Sequence, residues 1–105
     1  MADFSKILEQ AQQMQTRMQQ MQSELEKQTV SAAAGGGMVT VEADGKGTVT
    51  RVKIDPSVVD AKDVEMLEDL ILVAVNEAQK KAGDLAKNEM SRLTGGLNLP
   101  FKLPF

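Results

Sequence analysis

Residues 38–54 read MVTVEADGKGTVTRVKI, and this stretch decides how the rest of the chain is organised. From Met38 to Asp44, Val39, Val41 and Ala43 occupy every second position and share one face, which is the period of a half-buried β-strand. The turn sequence DGKG follows at 44–47, where glycine supplies the positive φ that tight hairpins need. Residues 48–54 then return as a second strand. The stretch therefore predicts an antiparallel hairpin.

The returning strand has two different faces. Val52 and Ile54 face one way, whereas Arg51 and Lys53 face the other. Val49 is out of phase with the other two apolar residues. This shift predicts either a β-bulge or partial burial of both faces.

Before the hairpin, residues 3–28 predict one long helix. Its apolar residues recur at intervals of four and three, which is the 3.5-residue period of a coiled-coil seam, and they are Ile7, Ala11, Met14, Met18, Met21 and Leu25. The helix is roughly 35–40 Å long, so it protrudes from a domain whose radius of gyration is near 13 Å. A homodimer would cover this stripe, and its predicted contacts are Met14, Met18, Met21, Leu25, Val52 and Ile54.

After the hairpin, a second helix is predicted from Asp60 or Asp63 to about Leu93. Acidic residues crowd its first turns, as the helix dipole favours. Residues 28–32 fit either a short strand or a loop. The chain therefore predicts an α+β fold in one domain, 1–96, with a small antiparallel sheet of two or three strands between the helices. Residues 97–105 hold two prolines without a helical period and predict a flexible tail.

Composition excludes several classes of function. The 105 residues include no Cys and no His, which removes disulfides, thiolate metal sites and the commonest general base. We therefore expect no enzyme activity, no metal, no cofactor and no small-molecule substrate. No apolar run approaches the roughly 20 residues that cross a bilayer, and no signal-peptide pattern opens the chain. The sequence indicates a cytoplasmic protein that does not act on a membrane.

The distribution of charge is uneven. The net charge of −3 argues against general attraction to nucleic acid. Five acids lie between 60 and 69, whereas the distal half of the second helix is locally positive. The basic residues of this region and of the first helix are Lys80, Lys81, Lys87, Arg92, Arg17 and Lys27. A charge run alone is more often a solvated helix face than a binding site.

Several blocks of the chain resemble the YbaB/EbfC nucleoid-associated family. They are QAQQMQ at 10–15 followed by Met18 and Met21, VKIDPS at 52–57, EMLEDLI at 65–71, NEA at 76–78, and the tail from Gly95 to Phe105. These blocks occur in order over nearly the whole chain. The resemblance implies an α-β-β-β-α protomer, in which the stretch after Gln28 is a strand, and an intertwined homodimer with projecting helices.

The resemblance also implies a function, namely DNA binding by a small cytoplasmic protein associated with the nucleoid. The family's DNA contacts are attributed to basic positions that match Arg17, Lys80, Lys81 and Lys87 here. Lys27 and Arg92 are added on charge alone. This chain departs from the family pattern at three positions where relatives often carry lysine, namely Glu9, Gln20 and Glu89.

Two functional hypotheses follow. In the first, the dimer binds duplex DNA mainly through backbone phosphates, by displacing condensed counterions, and so affects nucleoid organisation and gene expression. In the alternative, the protein is a prefoldin-like chaperone or interaction module whose Met-rich helix binds other proteins. A salt-dependent mobility shift with duplex DNA separates the two.

Overall fold

In the computed structural model, which describes residues 2–95, two long helices flank a three-stranded antiparallel sheet. The elements are α1 (Ala2–Lys27), β1 (Thr29–Ala34), β2 (Val39–Asp44), β3 (Val49–Ile54), a 3₁₀ turn (Pro56–Val58) and α2 (Val64–Gly95). This order confirms the predicted α+β class and the α-β-β-β-α protomer. The flexible tail predicted for 97–105 lies outside the described residues.

The sheet has the order β1-β2-β3, with both neighbouring pairs antiparallel. The stretch after Gln28 is therefore a strand, and its six residues all pair with β2. Between β2 and β3 the register shifts: Glu42 pairs with Arg51, but Ala43 pairs with Val49. The shift confirms the bulge that the phase of Val49 predicts.

The core lies between α2 and one face of the sheet. Its fully buried residues are all small and aliphatic, namely Val39, Val41, Ala43, Ala74 and Ala78. On α2, alanines recur at intervals of four, so they line one face of the helix. Because an alanine side chain is only a methyl group, the helix can lie close against β1 and β2.

The acidic residues before α2 shape the backbone at its start. Asp63 Oδ1 accepts a hydrogen bond of 3.2 Å from the backbone N–H of Met66, as an N-cap side chain does. Asp60 Oδ1 accepts one of 2.9 Å from the N–H of Lys62 in the preceding turn. These two carboxylates therefore have a structural role in starting the helix.

The first helix is attached to the rest of the protomer mainly through its last turns. Leu25 is only 3% exposed, and its carbonyl accepts a hydrogen bond of 2.8 Å from the N–H of Gly45 in the hairpin turn. Lys46 Nζ lies 2.9 Å from Glu26 Oε1 at the same junction. Leu25, predicted as a dimer contact, thus belongs to the packing of its own protomer.

The molecule is 72 Å long, whereas α2 alone accounts for about 48 Å at 1.5 Å per residue. The N-terminal half of α1 accounts for the difference, because it continues past the end of α2. Among residues 2–95, no helix is long and apolar enough to span a membrane.

Candidate nucleic-acid interface

Lys80 and Lys87 lie on one exposed side of α2. Seven residues are almost two full helical turns, so the two side chains project in nearly the same direction. They are separated by about 10.5 Å along the helix axis. That spacing matches the rise of about three base pairs of DNA at 3.4 Å each. We call this pair the distal lysine stripe.

Lys81 points elsewhere, although it follows Lys80 in the sequence. Each residue advances about 100° around a helix, which turns the Lys81 side chain towards the sheet. Its Nζ donates a hydrogen bond of 2.7 Å to the carbonyl oxygen of Ser31 on β1. All three lysines are exposed, but Lys80 and Lys87 share one side of α2, whereas Lys81 is bonded to the edge of the sheet.

Arg17 and Arg92 lie on opposite walls of a cleft of about 240 Å³ between the two helices. The cleft also contains Glu24 and Glu89, so its formal charges balance. Arg92 Nη1 lies 3.4 Å from Glu89 Oε1, but its side chain is 79% exposed. The Glu89 side chain is only 16% exposed, so this ion pair is open to solvent on the Arg92 side alone.

Lys27 occupies the last turn of α1, where a positive charge complements the helix dipole. The hairpin turn beside it carries Lys46, a basic residue that we did not predict as part of the site. Gln79 Nε2 donates to the Gly47 carbonyl at 3.2 Å and so fixes this turn against α2 immediately before Lys80. The turn sequence was visible in the chain, but only this tertiary contact relates it to α2.

A second positive pair, Arg51 and Lys53, lies on the face of the sheet that is away from α2. Both side chains are exposed, and with Thr40 and Glu42 they line a shallow depression. The alternation along β3 is the one that the sequence predicts. This pair is on a different surface from the distal lysine stripe.

The electrostatic potential at the distal lysine stripe depends on the carboxylates nearby. Asp69 precedes Lys80 by eleven residues, or about 16 Å, which is two Debye lengths at physiological salt. Glu77 and Asp84 lie one turn from Lys80 and reduce the local positive charge. Within residues 2–95, no three His, Cys, Asp or Glu residues are grouped so as to hold a metal ion.

Comparison with known proteins identifies the family. Residues 1–97 match the family model described as the YbaB/EbfC DNA-binding family. The chain belongs to this family. It is 57% identical over 103 residues to a nucleoid-associated protein of Gemmatimonas aurantiaca, which covers 98% of this chain and 99% of that one. A nucleoid-associated protein of Rhodospirillum rubrum is 50% identical over the full length of both chains.

The fold is also found in a solved structure. The uncharacterized protein HP0035 of Helicobacter pylori superposes with a TM-score of 0.80 at 25% sequence identity, over 88% of this chain and 97% of that one. The family assignment confirms the resemblance read from the sequence motifs. The YbaB/EbfC family is a DNA-binding family and not a known enzyme family.

Proposed function

We propose that this YbaB/EbfC protein binds duplex DNA in the cytoplasm as a homodimer, through phosphate contacts from its two long helices, and so affects nucleoid organisation and gene expression. The distal lysine stripe carries the proposal, because Lys80 and Lys87 are exposed on one side of α2. Arg17 is exposed on the neighbouring helix and adds a third contact. Lys27, Lys81 and Arg92 have secondary roles, since each is placed apart from the stripe or already has a partner.

The dimer is supported by apolar surface that one protomer leaves uncovered. Leu72 and Val73 on α2 are 59% and 52% exposed, and Val52 on β3 is 44% exposed. The accessible surface of 7815 Å² exceeds the roughly 5,800 Å² expected of a compact monomer of this mass. A standard interface buries about 800 Å² on each partner, which this excess readily supplies. A second copy of the chain is the occupant that we propose.

The chain is acidic overall, so its affinity must depend on these local cations and be sensitive to salt. Lys80, Lys87 and Arg17 occur twice in a dimer and together neutralise six phosphates. Each neutralised phosphate contributes about −0.9 to the slope of log affinity against log salt, so the expected slope is near −5. Contacts of this kind carry no base sequence information, and we expect similar affinity for different duplexes.

The prefoldin-like alternative requires two helices that project together as a coiled coil away from the hairpin. Here the first half of α2 lies flat on the sheet, where Ala74 and Ala78 are fully buried. The three methionines of the predicted α1 seam, Met14, Met18 and Met21, are half-buried. These placements and the family membership favour DNA binding.

Binding of a labelled 30-base-pair duplex, followed by fluorescence anisotropy over a salt series, tests this function. We expect a slope of log affinity against log salt near −5, and we expect two duplexes of unrelated sequence to bind with similar affinity. Sedimentation of the pure protein should give about twice the chain mass of 11.4 kDa. If no binding occurs even at about 50 mM salt, where phosphate contacts are strong, the DNA proposal is wrong and the interaction-module reading replaces it.

A further inference from the structure

The N-terminal half of α1 carries an uncovered apolar patch. Phe4 and Ile7 are 61% and 60% exposed, and Leu8 is 50% exposed. Ala11 lies one turn further along the same side of the helix and is also exposed. We call these four residues the α1 tip patch. Large apolar side chains grouped on a projecting helix indicate that another segment covers them.

The end of α2 lies beside α1 just short of this patch. Leu93 shares the interhelical cleft with Arg17 and Met21, and α2 ends two residues later at Gly95. From Arg17, α1 continues for another 13 residues to Phe4, or about 20 Å. The chain beyond α2 therefore starts at one end of the tip patch.

The sequence that follows α2 has an apolar residue at every second position. It reads LNLPFKLPF at 97–105, so its apolar residues are Leu97, Leu99, Phe101, Leu103 and Phe105. In an extended chain, alternate side chains lie on one side. The two intervening prolines lack an N–H donor and have a fixed φ that is compatible with extended structure. Such a segment can place a continuous apolar edge against a helix.

The spacing of the apolar residues in the tail matches the spacing of successive turns in α1. Two residues of extended chain advance about 6.6 Å, which is the rise of about four residues of helix. Near the end of α2, Leu93 lies beside Arg17 and Met21. Counting from there along the axis of α1, an extended tail brings Leu97 level with Ala11, Leu99 with Leu8, and Phe101 with Phe4. Three successive apolar residues of the tail therefore match three successive turns of the tip patch.

We propose that the first part of the tail, residues 97–101, docks in extended form along the α1 tip patch of its own chain. This proposal replaces the expectation of a flexible tail and is independent of whether the protein binds DNA. Docking covers the exposed side chains of Phe4, Ile7 and Leu8 and holds the projecting half of α1.

Disulfide trapping tests the contact, because the chain contains no Cys of its own. The variant Leu8→Cys/Leu99→Cys brings two thiols to the proposed contact, and a disulfide requires Cα atoms within about 7 Å. The matched control is Gln10→Cys/Leu99→Cys, whose α1 thiol is at nearly the same height on the opposite side of the helix. We expect the first pair to oxidise at least about tenfold faster than the control, which corresponds to a preference of about 1.4 kcal/mol.

The mass of the oxidised product identifies which chain supplies the tail. Our proposal requires a cross-link within one chain, which keeps the 11.4 kDa mass on a non-reducing gel. Equal rates for the two pairs would mean that the tail does not select the patch. A product of two linked chains would mean that another copy covers it. Either result overturns the proposal.

Hydrogen exchange gives a second measurement that needs no substitution in α1. After deletion of 97–105, amides of residues 4–11 should exchange about tenfold faster, because local opening no longer breaks the docking contacts. Amides of β2, which lie in the buried core, should not change and show that the protein remains folded. Unchanged exchange at 4–11 would also overturn the proposal.

Discussion

Replacing Gly45 with alanine should detach α1 from the hairpin. An added Cβ would lie 2.6 Å from the Leu25 carbonyl oxygen and 2.9 Å from its Cδ2 atom. Since the oxygen is backbone, no rotation of a side chain relieves the first contact. The helix end must move away by most of an ångström, which breaks the 2.8 Å hydrogen bond from the Gly45 N–H and exposes Leu25.

The expected loss is about 2–5 kcal/mol, the range for removing a buried leucine from its packing. A change of about 1 kcal/mol shifts the melting temperature by about 4–8 °C in a domain of 60–100 residues, so Gly45→Ala should lower it by at least about 8 °C. Thermal unfolding followed by circular dichroism measures this, at one protein concentration because a dimer's melting temperature depends on it.

Gly83→Ala is the matched control, because the same added methyl meets no atom within 4 Å. Gly83 lies inside α2, where alanine is favoured by about 1 kcal/mol, so this variant should melt about 4–8 °C higher. A Gly45→Ala protein that melts within about 2 °C of the parent would refute the account of how α1 is attached.

Two further predictions concern the dimer and acid stability. Leu72→Glu should shift sedimentation from about twice 11.4 kDa towards one chain mass, because it places an unpaired charge in the proposed interface; Asn88→Glu, with the same charge on the distal half, should not. Asp55 accepts a 2.9 Å hydrogen bond from the Ser57 N–H, and this bond is the main cause that lowers the pKa of the Asp55 carboxyl below its usual value. The ionised Asp55 carboxylate therefore stabilises the fold fully above the ordinary pKa of an aspartate. This stabilisation is lost as the pH falls through the lowered pKa of the folded state. In urea unfolding, the difference in the free energy of unfolding between the parent and Asp55→Ala should shrink as the pH is lowered. A difference that stays constant below about pH 4 would contradict this.

Much of the fold could be predicted because its signals are local. The hairpin follows from the alternation of residues 39–44 before the turn and from the turn sequence DGKG, and the bulge follows from Val49 being one residue out of phase. The strand β1, by contrast, reads TVSAAA, and its small residues show no clear period. Only the family resemblance distinguished this strand from a loop. Two of its three alanines, Ala32 and Ala34, are explained by the tertiary structure, since they belong to the core beneath α2, whereas Ala33 is exposed.

Details that depend on contacts between distant elements could not be predicted. We expected the turn glycines to supply positive φ, which Gly47 does at 93°. Gly45 is needed for a different reason, namely the close approach of the Leu25 backbone. In the same way, the sequence groups Lys80 with Lys81, whereas the structure separates them through the bond from Lys81 to Ser31.

The separation of these two lysines provides the most direct test of how the protein binds DNA. Lys80→Ala and Lys81→Ala remove the same charge from adjacent positions, so general electrostatics predicts equal effects. Our account predicts that Lys80→Ala, which removes two phosphate contacts per dimer, makes the salt slope of duplex binding shallower by about 2. Lys81→Ala should leave that slope close to the parent's. Equal slopes for the two variants, or a larger change for Lys81→Ala, would contradict the assignment of the interface to the distal lysine stripe.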